Sequence, residues 1–144
     1  MPKPPRPYQF TVEVFPQYLP EQSSPEQGLY LFAYTITITN TGSIAAQLIS
    51  RTWNVNDANG HTEKVKGLGV VGQQPLLEPG QSFEYTSGTR LRTPTGTMHG
   101  SFFCVAADGE KFDADIPMFV LDALSHNSGD SADDGAGGNS RILH

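Results

Sequence analysis

Six residues near the middle of the chain, Gly67-Leu68-Gly69-Val70-Val71-Gly72, have the G-x-G-x-x-G spacing of a dinucleotide-binding turn. That turn works because it feeds a helix whose N-terminal amides hold a pyrophosphate. Here Gln73-Gln74-Pro75 follows, with Pro79-Gly80 close behind, so no useful helix can start and no β-α-β unit surrounds the motif. A weaker chemistry survives. Successive amides of a glycine loop can form a concave nest for an anion without a helix, and Lys64 and Lys66 stand just upstream. Lys64, Lys66, Gly67, Gly69 and Gly72 are therefore the candidate ligand-binding residues, for a phosphate-bearing small molecule. The competing explanation is mechanical: glycines permit a bulged, tightly packed hairpin or cross-sheet loop.

Catalytic chemistry has little to work with. Of the histidines, His126 and His144 lie in a polar tail, His61 follows the Asn59-Gly60 turn, and His99 starts a strand after Gly96. HExxH, CxxC and GxSxG are all absent, so a zincin, a zinc ribbon and a hydrolase elbow each lack their signature. Cys104 sits in Phe102-Phe103-Cys104-Val105-Ala106, where apolar neighbours favour an inert thiol. Asp113 and Asp115 alternate with Phe112, Ala114 and Ile116, so both project from one strand face. They could bind a hard divalent ion weakly, yet a solvated strand face explains them as well. No catalytic residue, no metal site and no cofactor is assigned.

Composition narrows the partners. The 37% of hydrophobic residues, with 15 glycines, suffices for one core in 144 residues. Nine basic against fifteen acidic residues give −6, which argues against nucleic acid and anionic membrane surfaces. One cysteine rules out an internal disulfide. No apolar stretch approaches the ~20 residues of a membrane span, and MPKPPRP leads into no apolar signal region. The expectation is a cytoplasmic protein, monomer or homodimer.

The elements that must carry these residues alternate with period two. Tyr8, Phe10, Val12 and Val14 occupy every second position, as do Tyr30, Phe32, Tyr34, Ile36 and Ile38. Ile49, Trp53 and Val55 share a face, with Arg51 set among them; Phe83 and Tyr85, Phe102 and Cys104, and Phe112, Ala114 and Ile116 alternate likewise. This is strand spacing with one buried side. Asn40-Thr41-Gly42, Asn59-Gly60, Pro79-Gly80 and Asp108-Gly109 supply turns. Strands are expected near 8–15, 29–40, 46–57, 81–87, 97–106 and 111–117. The fold class is all-β: an immunoglobulin- or fibronectin type III-like sandwich of about seven antiparallel strands, with a small barrel as alternative. The long connection from Val14 to Gly28 is expected to cross between sheets. Residues 1–7 form a Pro-rich arm, 8–124 the domain, and 125–144 a disordered acidic Gly/Ser tail with too little apolar surface to pack.

Phe32-Ala33-Tyr34-Thr35-Ile36-Thr37-Ile38-Thr39-Asn40, Gln47 through Trp53, Val65 through Pro75, Phe83 through Gly88, Thr93 through Gly100 and Ile116-Pro117-Met118-Phe119 together resemble the ApaG family (the DUF525 domain) over about residues 8–124. The resemblance implies a fibronectin type III-like sandwich with no established enzymatic activity. Bacterial members of that family are traditionally linked to cobalt and magnesium efflux or resistance, and eukaryotic relatives carry the domain as a protein-binding module. Three readings follow: a non-catalytic domain that binds another protein, a binder of a phosphate-bearing small molecule through Gly67–Gly72, and an accessory protein in divalent-metal homeostasis.

Overall fold

The alternating segments become eight strands: β1 Phe10–Tyr18, β2 Tyr30–Asn40, β3 Ala46–Asp57, β4 Thr62–Leu68, β5 Leu76–Leu77, β6 Ser82–Leu91, β7 Thr95–Ala106 and β8 Lys111–Asp122. They are seen in a computed structural model that describes residues 6–124. The first five residues of the arm and the tail from 125 lie outside the described residues. One sheet has the order β1-β2-β6; the other runs β4-β3-β7-β8, with β5 also paired to β3. All pairings are antiparallel. Two separate sheets make this a sandwich and exclude the barrel. Seven long strands and the two-residue β5 match the expected number.

Core residues come from the inner face of each sheet, and Tyr34 of β2, Trp53 of β3 and Phe119 of β8 join the layers. Tyr34 and Trp53 meet edge-to-face with centroids 5.3 Å apart, and Trp53 meets Phe119 at 5.9 Å and 84°. Such pairs add to the area burial of large rings. Two β-bulges keep apolar residues facing in where strict alternation would turn them out. In β3 the extra residue is Ile49, between Leu48 and Ser50. Leu48 is inward before it, Trp53 and Val55 after it, and Ile49 itself leaves the core. In β8, Pro117 and Met118 stand opposite His99 alone, so burial passes from Ile116 to Leu121. Pro117 has no amide to lose from the ladder there.

Several expected boundaries move. The first strand runs over 10–18, not 8–15, and continues through Pro16 because β1 is an edge strand whose outer amides face away from β2. The connection after it does not cross between sheets. β1 and β2 are neighbours, in register from Phe10 opposite Asn40 to Tyr18 opposite Phe32, and two 3₁₀ turns at Pro20–Gln22 and Pro25–Gln27 join them. Strand β4 was not expected at all: Val65 and Gly67 are its only partly buried residues, too few to show alternation. β6 reaches Leu91, β8 reaches Asp122, and β7 begins at Thr95, so His99 lies inside a strand.

The seam between β1 and β8 is sealed by aromatic rings. Phe10 and Phe112 pack edge-on at 5.6 Å, Tyr8 lies 5.9 Å from Phe112, and the Tyr8 hydroxyl donates to Asp108 Oδ2 at 2.6 Å. At one end of the sandwich two crossings between sheets lie side by side, from β2 to β3 and from β5 to β6. The buried Asn40 side chain ties them. Its Nδ2 donates to the carbonyls of Ile44 at 3.0 Å and Leu77 at 2.9 Å, and its Oδ1 accepts from the Gly42 amide at 2.8 Å. The Asn40 backbone adds bonds to Gln81 and Gly80. Thr93 does similar service at the other end, accepting from the Ala58 amide and donating to the Thr95 carbonyl.

Asn40→Ala would strand two carbonyls and an amide in a dry interior, at about 1–3 kcal/mol for an unmade buried bond. Denaturant unfolding should show a loss of roughly 3 kcal/mol or more, and a loss below about 1 kcal/mol would show that the crossings hold without it.

Candidate functional site

The glycine motif begins in β4 and continues past its end, on the side of β3 where β4 and β5 pair. Strand β4 pairs with β3 from Asn56 back to Ser50, and β5 resumes the same pairing direction at Gln47 and Ala46. Residues 69–75 are thus a detour from one interrupted edge strand, stapled where β3 bulges. The Ile49 carbonyl accepts from the Gly69 amide at 2.8 Å and from Gln74 Nε2 at 2.9 Å. The Leu48 amide donates to Pro75 O at 3.0 Å, and Gln47 Nε2 to Gln74 O at 2.9 Å. Inside the detour, Val70 and Gln73 exchange both backbone bonds, at 2.8 and 2.9 Å. The two residues between them, Val71 at φ 42° and Gly72 at φ 81°, show the positive pair of a type I′ turn.

This geometry engages the amides of Gly69, Val70 and Gln73 inside the protein. Gly69 itself is at φ 65°, and a Cβ there would lie 2.5 Å from the Gln73 carbonyl oxygen. Gly67 points inward, and the Arg51 guanidinium occupies the space a side chain would need, 2.8 Å from an added Cβ. Arg51 Nη1 donates to the carbonyls of Leu68 at 3.1 Å and Gly69 at 2.9 Å. Lys64 and Lys66 are exposed on the opposite face of β4, across from Asn54 and Thr52. The structure therefore puts the two lysines on one face and Gly67 on the other.

Arg51 is the functional-looking residue that residue types alone did not pick out as a candidate. Its place on the face of Trp53 and Val55 was the available signal. Val71 is the second. A β-branched residue at positive φ costs of order 1–3 kcal/mol, and nothing local compels it, since Gly or Asn suits the position better.

Around the detour the surface is apolar. Leu68 is 75% exposed, Leu76 57% and Val71 43%. Leu68 and Leu76 stand opposite Ser50 and Gln47, on the outer side of the β3 edge. On the far edge, Asp113 and Asp115 face outward opposite Phe103 and Ser101. Among the described residues no three His, Cys, Asp or Glu side chains gather as a metal site would require. Cys104 is fully buried, and burial pushes its thiol up to about 12, with the Asp113 charge adding to the rise. A cleft of about 930 Å³ runs between the start of β4 and the end of β6, lined by Val55, His61, Glu63, Arg90 and Arg92 among others. No helix among the described residues is long and apolar enough to cross a membrane.

The ApaG domain's family model matches residues 20–106. A Protein ApaG of Acidovorax sp. (strain JS42) is 69% identical over 118 residues, covering 82% of this chain and 86% of its own. The chain belongs to the ApaG family. A second ApaG, from Ralstonia nicotianae, is 60% identical over 114 residues, 79% of this chain and 92% of that protein. The crystal structure of the ApaA protein of Bordetella pertussis superposes with a TM-score of 0.82 at 54% identity, covering 85% of this chain and all of the other. The family match stops short of β1 and β8, whereas the likeness to that crystal structure extends over most of the ApaG-family sandwich described here.

Gly69→Ala should lower unfolding stability by about 1 kcal/mol or more, since φ and space both refuse a Cβ. Denaturant melts check this, and an unchanged midpoint would refute the mechanical role. The Cys104 thiol should stay unreactive toward an aromatic disulfide at pH 8 until the protein unfolds; rapid labelling of the native state would contradict the burial argument.

Proposed function

We propose that this ApaG-family chain is a non-catalytic binding domain for another protein, and that its contact surface is the apolar edge of Leu68, Val71 and Leu76 beside Lys64 and Lys66. The carrying observation is Val71. It is β-branched, strained and exposed at once, which is poor for folding and useful for touching something. Exposed apolar residues beside charges are the usual make-up of an interface with a polar rim. The two lysines suit a partner with acidic groups next to its apolar contact.

The phosphate reading of Lys64, Lys66, Gly67, Gly69 and Gly72 draws less support. Three of the loop's amides already have carbonyl partners, and the lysines face away from Gly67. Cobalt or magnesium homeostasis rests on the family association alone, and no side-chain cluster among the described residues favours it.

A partner cross-linked to the tagged full chain and identified should bind at least tenfold more weakly to Leu68→Asp, roughly 1.4 kcal/mol. Val71→Gly should weaken the complex while raising stability by about 1 kcal/mol, because it relieves the backbone. Partner affinity unchanged in both variants would remove this surface from the function.

A further inference from the structure

Strands β1 and β6 bound one sheet, and β4 and β8 bound the other. An edge strand offers unpaired amides and carbonyls to any strand that comes alongside, and proteins usually block it. β1 and β8 each contain a proline, Pro16 and Pro117, and aromatic rings join the two across the seam. In β6 the successive residues Ser87, Gly88 and Thr89 are all buried, so that strand is covered on both faces midway. β4 has none of these devices. It holds no proline and no bulge, and Thr62, Lys64, Lys66 and Leu68 are all exposed.

The ladder to β3 shows which groups β4 leaves free. The Asp57 amide donates to the His61 carbonyl at 3.0 Å, and the Gly69 amide to the Ile49 carbonyl at 2.8 Å. In an antiparallel pair, residues that exchange bonds alternate with residues that turn their backbone groups away. Glu63, Val65 and Gly67 share the parity of His61 and Gly69 and face β3. Thr62, Lys64, Lys66 and Leu68 therefore turn amide and carbonyl outward. Arg51 Nη1 already takes the Leu68 carbonyl, at 3.1 Å, which marks one end of the open run. The backbone groups of Thr62, Lys64 and Lys66 that face outward have no hydrogen-bond partner among the described residues.

There is room alongside. The cleft of about 930 Å³ between β4 and β6 opens at Thr62 and Glu63, and Val65, on the same inner face as Glu63, is only partly buried. Lys64 and Lys66 stand on the outer face, and the β3 residues across from them, Asn54 and Thr52, carry no charge. A second copy of β4 added in antiparallel register would set Lys64 opposite Lys66, and like charges placed so destabilise a strand pair. The same two lysines favour a strand that brings carboxylates to those places.

We propose that β4 takes up an extended acidic segment of a partner protein as an added antiparallel strand, hydrogen-bonded to the free backbone of Thr62, Lys64 and Lys66. This rests on Leu68 and its neighbours being the contact surface proposed above, and adds the manner of contact. Two acidic residues of the segment, two positions apart, lie opposite Lys66 and Lys64 on the outer face. The residue before them on that face is apolar and lies beside Leu68. Along the partner's chain the pattern is apolar-x-acidic-x-acidic, within a length matched to the seven residues of β4. The side chains between point to the inner face, toward Val65 and the cleft. In strand addition the backbone bonds supply the affinity and alternate side chains the choice of partner. They must do so here, since a net charge of −6 gives an acidic segment no long-range attraction.

The test uses the full-length protein and a fluorescein-labelled peptide in which Leu, Glu and Glu alternate with Thr. Saturable binding at about 100 μM or tighter is expected by anisotropy. The amides of Lys64 and Lys66 should exchange with solvent at least tenfold more slowly in the complex. Methylating the two Glu nitrogens of the peptide removes backbone donors and no side chain, and should weaken binding at least tenfold. Lys64→Glu with Lys66→Glu should do the same, and a peptide with Lys in place of both Glu should restore the affinity. No saturable binding by the unmodified protein up to about 2 mM would overturn the added strand. So would full affinity of the methylated peptide, which would leave the contact surface standing but working through side chains alone. Binding that survives Leu68→Asp together with both lysine changes would overturn the strand and the surface alike.

Discussion

One buried side-chain amide holds the two layers in their relation. A sandwich needs its chain to pass between sheets, and each passage turns backbone groups away from the ladders that would satisfy them. Here two passages run next to each other, and Asn40 serves both with a single carboxamide. Its two donors and one acceptor match three orphaned backbone groups, in a place where water does not reach. Asp would bring acceptors where donors are needed, and Leu would bring neither. Everything downstream inherits the spacing: the Tyr34-Trp53-Phe119 contact, the start of β3 and the point where β5 can join it.

From that frame the glycine motif has a different meaning from the one its spacing suggests. The pattern evokes a loop opened to a ligand, yet the chain uses it to leave an edge strand and rejoin it within seven residues. Gly69 makes the departure, Gly72 the reversal, and Gly67 the room for Arg51. Each glycine answers a local steric demand. A motif defined by spacing cannot tell these demands from the close approach of a pyrophosphate, because both need a missing Cβ.

Much of the fold was legible because alternation survives in long central strands. β2 and β3 were placed from Tyr30–Ile38 and from Trp53 and Val55, and the resemblance to the ApaG family agreed. Three things were hidden for physical reasons. An edge strand such as β4 buries almost nothing, so no strand was expected where Lys64 and Lys66 stand. Bulges shift parity, so Ile49 was grouped with Trp53 although it leaves the core, and β8 was ended at Pro117. The long connection from Val14 to Gly28, with its prolines, looked like a crossing, when Pro16 merely lies within an edge strand. The candidate site was legible only as residue types: which face of β4 each residue takes, and that Arg51 fills the space beside Gly67, are facts of three-dimensional packing.

The aromatic seam carries a cost in time. Tyr8 and Asp108 are bonded across 100 positions of sequence, and Phe10 waits for Phe112. Ribosomes deliver the chain from its N-terminus, at about 5–20 residues per second, so β1 exists for seconds before the strand that covers it. During that interval Phe10 and Tyr8 have only β2 for company, and one flank of the nascent sheet stays wet. Contacts this remote along the chain slow the search for the native state. The sandwich can therefore close only after β8 has been made, and the apolar residues of its first strand are the ones a chaperone would meet.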